Sequence, residues 1–245
     1  MRLDQGVFDA ILEDAKARYP NECCGVVIST AEGQRYIPCT NIAPANEATM
    51  RFEICPRDYA AAEDDGDVLA IVHSHPNASA NPTDADIAMC ERTGLPWVIV
   101  GVPSGVFKFI EPTGEKLPLI GRSFHHGILD CYTLIRDYYD QRLGIELPEF
   151  DRADGWWEKG ENLYVKNFEL AGFAVVARDG KAMPNPHDVI LMQIRSNQLN
   201  HGAVMDANKP GHIIHHLHGQ LSKHDVWGGV WARFTGLILR HKDLL

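Results

Sequence analysis

The sequence predicts an α+β chain made of two domains, one over residues 1–112 and one over residues 122–245. Three observations carry that prediction. A length of 245 residues suits two units of about 120 each, against a usual domain size of roughly 100–200 residues. Both halves alternate short apolar, β-branched runs with segments whose apolar residues recur at helical spacing. Between them, 111–121 (EPTGEKLPLIG) gathers proline, glycine and charge without an apolar period, which marks a linker.

In the first half, Val7, Phe8, Ile11, Leu12 and Ala15 share one helical face. Residues 24–29 read as a buried strand and 34–38 as its hairpin partner, with Glu32 and Gly33 at the turn. Residues 52–54 read as a short strand, 56–63 as a helix, and 63–67 (EDDGD) as an acidic loop. A strong strand over 68–72 runs straight into His73-Ser74-His75-Pro76. A helix over 83–93 starts after Pro82, and strands follow at 97–102 and 105–110. In the second half, 129–143 is helical, with Cys131 near its start and Gly144 at its end. Residues 151–160 are polar and carry Trp156 and Trp157, which suit either a stacking wall or a cap on the core. Residues 189–194, 201–205, 212–215 and 237–239 read as strands of a second sheet, and 227–231 (WGGVW) as core and turn.

A composition of 45% hydrophobic and 23% charged residues is that of an ordinary globular protein. A net charge of −10 excludes a general nucleic-acid footprint. No run of about 18 apolar residues offers a membrane span. The first residues lack the basic and apolar regions of a secretory signal, so none is expected. The cysteines at 23, 24, 39, 55, 90 and 131 follow no disulfide framework and form no Cys-x-x-Cys pair. All but Cys131 read as reduced, buried small residues.

Alternation along a strand puts His73 and His75 on one face, so both imidazoles reach one ion. Asp86, early in the next helix, supplies a carboxylate as third ligand. Two histidines and one carboxylate leave a fourth position for water, the arrangement of a catalytic rather than a structural zinc. Such a site makes hydroxide available near neutral pH. Glu22, just before a strand, is the candidate general base. A lone His-x-His is most often a surface pair beside a turn; Thr83, Asp86 and Glu22 in series lift this one above that reading. The series Glu22, His73, His75, Pro76, Thr83, Asp86 resembles the JAMM (MPN) zinc peptidases, with threonine where that family usually has serine. The resemblance implies a β-sheet packed by helices, one Zn2+ in the N-terminal domain, and peptide or isopeptide substrates, often beside ubiquitin-like tails. It gives Thr83 a hydrogen bond to the oxyanion or the attacking water.

In the second half, Cys131 opens a helix, where the macrodipole favours thiolate. A thiolate nucleophile also needs a histidine and a third group to orient it. The duller alternative is a structural cysteine beside a histidine-rich strand, since five of the twelve histidines lie between 201 and 218. Asp130-Cys131, Asn200-His201-Gly202 and the phrase ending in His215 resemble the NlpC/P60 cysteine peptidases, a papain-like fold. The resemblance implies Cys131 as nucleophile, His201 as acid and base, and His215 as third residue, with His216 and His218 as substitutes. It also implies amide bonds of peptidoglycan stem peptides as substrate. Tyr132-Thr133 departs from the family's usual Ser-Gly.

Both motifs in this order resemble the tail assembly proteins of lambda-like bacteriophages. That implies other phage tail proteins as partners, with a place in the host cytoplasm during assembly and at the virion tail tip. Two other classes stay open: an assembly factor with relic sites, and a cellular protease trimming ubiquitin-like tails.

Overall fold

The computed structural model describes residues 2–245. The chain divides into two compact units, Met1–Glu115 and Lys116–Leu245, and the division falls inside the proline- and glycine-rich stretch. In the first unit, helix α1 (Gln5–Arg18) precedes strands β1 (Cys24–Thr30) and β2 (Gly33–Cys39). Helix α2 (Pro56–Asp65), strand β3 (Asp67–Pro76), helix α3 (Asp84–Thr93) and strands β4 (Trp97–Val102) and β5 (Phe107–Ile110) follow. The sheet order is β2-β1-β3-β4-β5. Every neighbouring pair is antiparallel except β3–β4, which is parallel because α3 carries the chain across. Alternation sorts the two faces. Val27, Ala70, Val72, Val98 and Val100 pack on Val7, Ile11 and Ala15 of α1. Val26, Ile28, Ile71 and Trp97 pack with Ala62 of α2 and Cys90 of α3. His73 and His75 share the parity of Ile71, so they face the α2/α3 layer.

Three expectations need correction here. The strand β3 does not stop at residue 72 but runs through Pro76, so both histidines are held in the sheet ladder by β4. Residues 52–54 form no strand: Ile54 makes an isolated bridge to Asn41, and the Phe52 ring instead stacks on His73. The acidic loop is shorter than read, because the alanine-rich segment continues α2 to Asp65. Gly66 ends it where a Cβ would lie 2.3 Å from the Ser29 carbonyl oxygen.

The second unit opens with helix α4 (Cys131–Leu143) and a short helix α5 (Leu163–Asn167). Strands β6 (Phe173–Ala177), β7 (Val189–Met192), β8 (His201–Met205), β9 (His212–His215) and β10 (Lys223–Val226) come next. Helix α6 (Gly229–Phe234) and strand β11 (Thr235–His241) complete it. The order β10-β9-β8-β7-β11-β6 is antiparallel throughout. Two of its six strands, β6 and β10, go unmentioned in the sequence reading. Leu134, Ile135 and Tyr138 of α4 pack on Leu191, Val204 and Ile214, each such burial contributing about 1.5–3 kcal/mol. The opposite face carries Ile190, Met192, Ala203 and Ile213 under Trp227, Trp231 and Phe234. Gly144 closes α4 in the left-handed conformation, φ 66°, that glycine adopts at least cost.

Candidate active sites

In the first unit, the Nε2 atoms of His73 and His75 lie 3.0 Å apart. Asp86 meets them from the first turn of α3, Oδ1 3.1 Å from His73 Nε2 and Oδ2 3.4 Å from His75 Nε2. One ligand atom from each residue lies within 4.8 Å of the others, and all three residues are buried. His75 Nδ1 sits 2.9 Å from the Ser79 carbonyl oxygen, an acceptor, so that nitrogen carries the proton and Nε2 keeps its lone pair. The donor set therefore fits a divalent cation of the zinc type, two imidazoles and a carboxylate converging on one point. His73 Nδ1 is buried without a partner, while Phe52 stacks on that ring at 4.7 Å and Trp97 meets it edge-on.

Thr83 is the N-cap of α3. Its hydroxyl donates to Asp86 Oδ2 at 2.8 Å and accepts from the Asp86 amide, while its own amide donates to the same Oδ2 at 2.7 Å. The hydroxyl is thus engaged in a capping box that aims the carboxylate. Burial pushes the Asp86 carboxyl up, but its bonds to His73 and His75 outweigh that and hold it well below the usual carboxylate range.

Glu22 sits beside this set and is 7% exposed. Its amide donates to the Ala48 carbonyl and its carbonyl accepts from Asn41 Nδ2. Ser74, on the opposite face of β3 from the two histidines, accepts from the Cys23 amide at 2.8 Å and so ties the start of β1 to the histidine strand. Burial pushes Glu22 up to about 8, with His75 opposing and Asp86 adding to the rise. A carboxyl that titrates near neutrality is suited to exchanging protons. Asn41, Ser74 and Phe52 carry no local sequence signal as site residues, apart from Ser74's position between the two histidines.

In the second unit, Cys131 and His201 line one cavity of about 360 Å³. His201 Nε2 lies 3.1 Å from His215 Nδ1, and His215 Nε2 lies 3.0 Å from Asp225 Oδ2. The carboxylate accepts, so His215 carries its proton on Nε2 and accepts at Nδ1 from His201 Nε2–H. That leaves His201 Nδ1 as the basic nitrogen. Trp231 meets His215 edge-on at 4.6 Å. The thiol's side-chain hydrogen bond is to Tyr164 Oη, at 3.0 Å, and the Gly202 backbone adds another. His216 lies on the cavity wall against Phe124, and His218 is exposed. Trp156 is buried and Trp157 half-buried, and both also line the cavity.

Asp130 caps α4 by accepting from the Thr133 amide at 2.9 Å, and Arg152 grips both its oxygens, at 2.7 and 3.2 Å. This placement works against the thiolate that the helix start alone would favour. Burial, followed by the Asp130 carboxylate, pushes the Cys131 thiol up, and these outweigh the opposing hydrogen bonds of Tyr164 and the Gly202 backbone and the Arg152 charge. Burial, then His215, brings His201 down to about 3, so the resting pair is a neutral thiol and a neutral imidazole. Tyr164, Arg152 and Asp225 sit outside any motif the sequence offers, and only the three-dimensional arrangement brings them in.

Residues 4–111 match the family model described as prokaryotic homologs of the JAB domain. Over that half, the chain is 32% identical to a probable TtuB-protein conjugate cleaving protease of Thermus thermophilus, across 117 residues, 45% of this chain and 78% of that one. It is 38% identical over 188 residues to tail tip assembly protein K of Escherichia phage lambda, covering 76% of this chain and 88% of that protein. It is 42% identical over 243 residues to tail tip assembly protein K of Escherichia phage N15, covering 98% of this chain and 96% of that protein. With near-complete coverage at that identity, the chain belongs to the tail tip assembly protein K family and carries a JAB domain in its first unit.

Proposed function

We propose that this phage tail tip assembly protein carries two hydrolytic centres. The first, in a JAMM/MPN domain over 1–112, is a zinc-dependent peptidase or isopeptidase with His73, His75 and Asp86 as ligands. The second, in an NlpC/P60 domain over 122–245, is a thiol endopeptidase acting on cell-wall stem peptides. The observation that carries the first is the convergence of two Nε2 atoms and one carboxylate on a single buried point. The name of the Thermus relative supports an amide-bond substrate. When bound, zinc supplies Lewis acidity at neutral pH. Glu22 takes a proton from the attacking water and returns it to the leaving amine. Thr83 aims Asp86, and the Ser79 carbonyl fixes the ligand tautomer of His75.

In the thiol centre, His201 Nδ1 takes the proton of Cys131 as Sγ bonds to the substrate carbonyl carbon. The same nitrogen then protonates the amine as the C–N bond breaks. Water, deprotonated by His201, cleaves the thioester to a carboxylic acid and restores the thiol. His215, fixed by Asp225, keeps His201 in the required tautomer. Tail proteins are the partners during assembly in the host and at the tail tip.

Elemental analysis of wild type and His75→Ala, run beside a digest of peptidoglycan fragments by wild type and Cys131→Ala, tests both centres. About one zinc per wild-type chain, lost in His75→Ala, is the expected metal result. Stem-peptide cleavage lost only in Cys131→Ala is the expected digest. Zinc retained in the His75 variant, or cleavage retained in the Cys131 variant, refutes the corresponding centre.

A further inference from the structure

Two arginines line the cavity at Cys131, and they differ in what holds them. Arg152 is gripped by Asp130 and Glu149. Arg195 is exposed and has no ion pair or hydrogen bond among the described residues. The other exposed charges lining the cavity, Asp151 and Glu158, are negative and belong to a different segment of the chain.

The backbone of Arg195 is also unusual. Its φ is 48°, in the left-handed region that side chains other than asparagine, aspartate and histidine seldom adopt. Residues held in such a conformation cluster where ligands are gripped, because elsewhere the strain brings no return. The turn that imposes it is well tied. The Asn200 side chain accepts from the Ile194 amide at 2.9 Å and donates to the Ile194 carbonyl at 3.0 Å. Gln193 Nε2 donates to the Ser196 carbonyl at 2.8 Å, and the Gln193 amide donates to the Phe234 carbonyl. This turn joins β7 to β8 and leads directly into His201, which pairs with Met192. A cation is thus mounted on the rigid turn that delivers the candidate acid and base to the same cavity.

We infer that Arg195 is a specificity-determining residue that receives a carboxylate of the peptide bound at Cys131. The inference rests on the thiol endopeptidase reading and deepens it by naming the group that selects the substrate. A guanidinium holds a carboxylate through two parallel N–H···O bonds. Because Asp151 and Glu158 repel the same carboxylate, Arg195 is where it settles, and the peptide is oriented by that one contact.

The test measures binding, separately from turnover. Peptidoglycan stem-peptide fragments, with carboxylates free or converted to carboxamides, are titrated by calorimetry into the full chain carrying Cys131→Ala. The free-acid fragments are expected to bind about three- to tenfold more tightly than the amidated ones. Adding Arg195→Asn should abolish that difference, and Arg195→Lys should keep part of it. Asparagine adopts a positive φ readily, so the turn is expected to survive, and thermal unfolding checks that it does. Equal binding of the two fragment forms, no binding of either, or a preference that persists in the asparagine variant overturns the role of Arg195. Digestion of the same fragments by the chain with Cys131 intact is scored in parallel. Cleavage without a carboxylate preference sinks the role of Arg195 alone. A preference that Arg195→Asn removes, without any cleavage, sinks the endopeptidase reading alone.

Discussion

Replacing Thr83 by alanine separates two jobs that one hydroxyl performs. As N-cap it accepts from the Asp86 amide, and losing a cap of this kind costs about 1 kcal/mol of stability. As a donor to Asp86 Oδ2 it fixes the carboxylate that His73 and His75 face. The backbone bond from the Thr83 amide to the same oxygen survives the substitution, so the carboxylate is loosened rather than freed. Loss of a group that orients a ligand weakens metal binding by roughly 10–100-fold. Thr83→Ala should therefore lower the stability of the first unit by about 1 kcal/mol in urea unfolding of the metal-free protein. It should also weaken zinc about tenfold or more in competition with a chelator. Thr83→Ser, which keeps both bonds, should restore both quantities. An alanine variant that binds zinc within about twofold of wild type would refute the aiming role, as would a serine variant no better than alanine.

Two further outcomes concern the second unit. His201 is held down to about 3 and His216 to about 4, against about 6.5 in the unfolded chain. Both groups have folded values below their unfolded ones, so the unfolded chain takes up these protons first. Stability that is fully present above pH 6.5 should be lost as pH falls toward 4, at up to about 1.4 kcal/mol per pH unit for each histidine. Urea unfolding between pH 7 and pH 5 reads this slope, His216→Gln should make it shallower, and a pH-independent stability would contradict the assignment. Gly202 faces α4, and a Cβ there would lie 2.7 Å from Ile135 Cδ1 and 3.1 Å from Tyr164 Oη. Gly202→Ala should cost about 1–3 kcal/mol and shift the Tyr164 hydroxyl that holds Cys131; unchanged thermal stability would show that the helix gives way freely.

The metal set was legible because two local rules generate it. A strand period of two places His73 and His75 together, and a helix cap three residues before Asp86 aims that carboxylate into the same space. Glu22 was legible as a candidate base before a strand and as part of a resemblance, but nothing in its neighbourhood predicts that β1 will start beside the histidine strand. That placement comes from the pairing of Cys24 with His73 and from the Ser74–Cys23 bond, both long-range. Phe52 was misread for the same reason: its β-branched and aromatic surroundings suit a strand, but the His73 ring captured it. In the second unit β10 is polar and lies at the sheet edge, so it lacked the apolar alternation that reveals a strand, and Asp225 was hidden with it.

The resting state of Cys131 was the least legible feature, because opposing effects act on one sulfur. The carboxylate that starts α4, Asp130, is the residue a helix beginning at Cys131 calls for, and its position there was visible in the sequence. The same carboxylate opposes a thiolate one residue away, and burial acts in the same direction. A preformed thiolate–imidazolium pair inside this cavity would carry the desolvation cost of two charges, with Tyr164 as the sulfur's side-chain hydrogen-bond partner. A neutral pair avoids that cost and suits walls made of Phe124, Trp156 and Phe168. In the proposed mechanism charge develops only as Cys131 attacks, when His215 and Asp225 behind His201 can stabilise the imidazolium that forms. On the proposed thiol endopeptidase reading, an apolar cavity and a relay ending in a carboxylate at the sheet edge are two parts of one arrangement, in which the charge is held outside the cavity until a substrate has entered it.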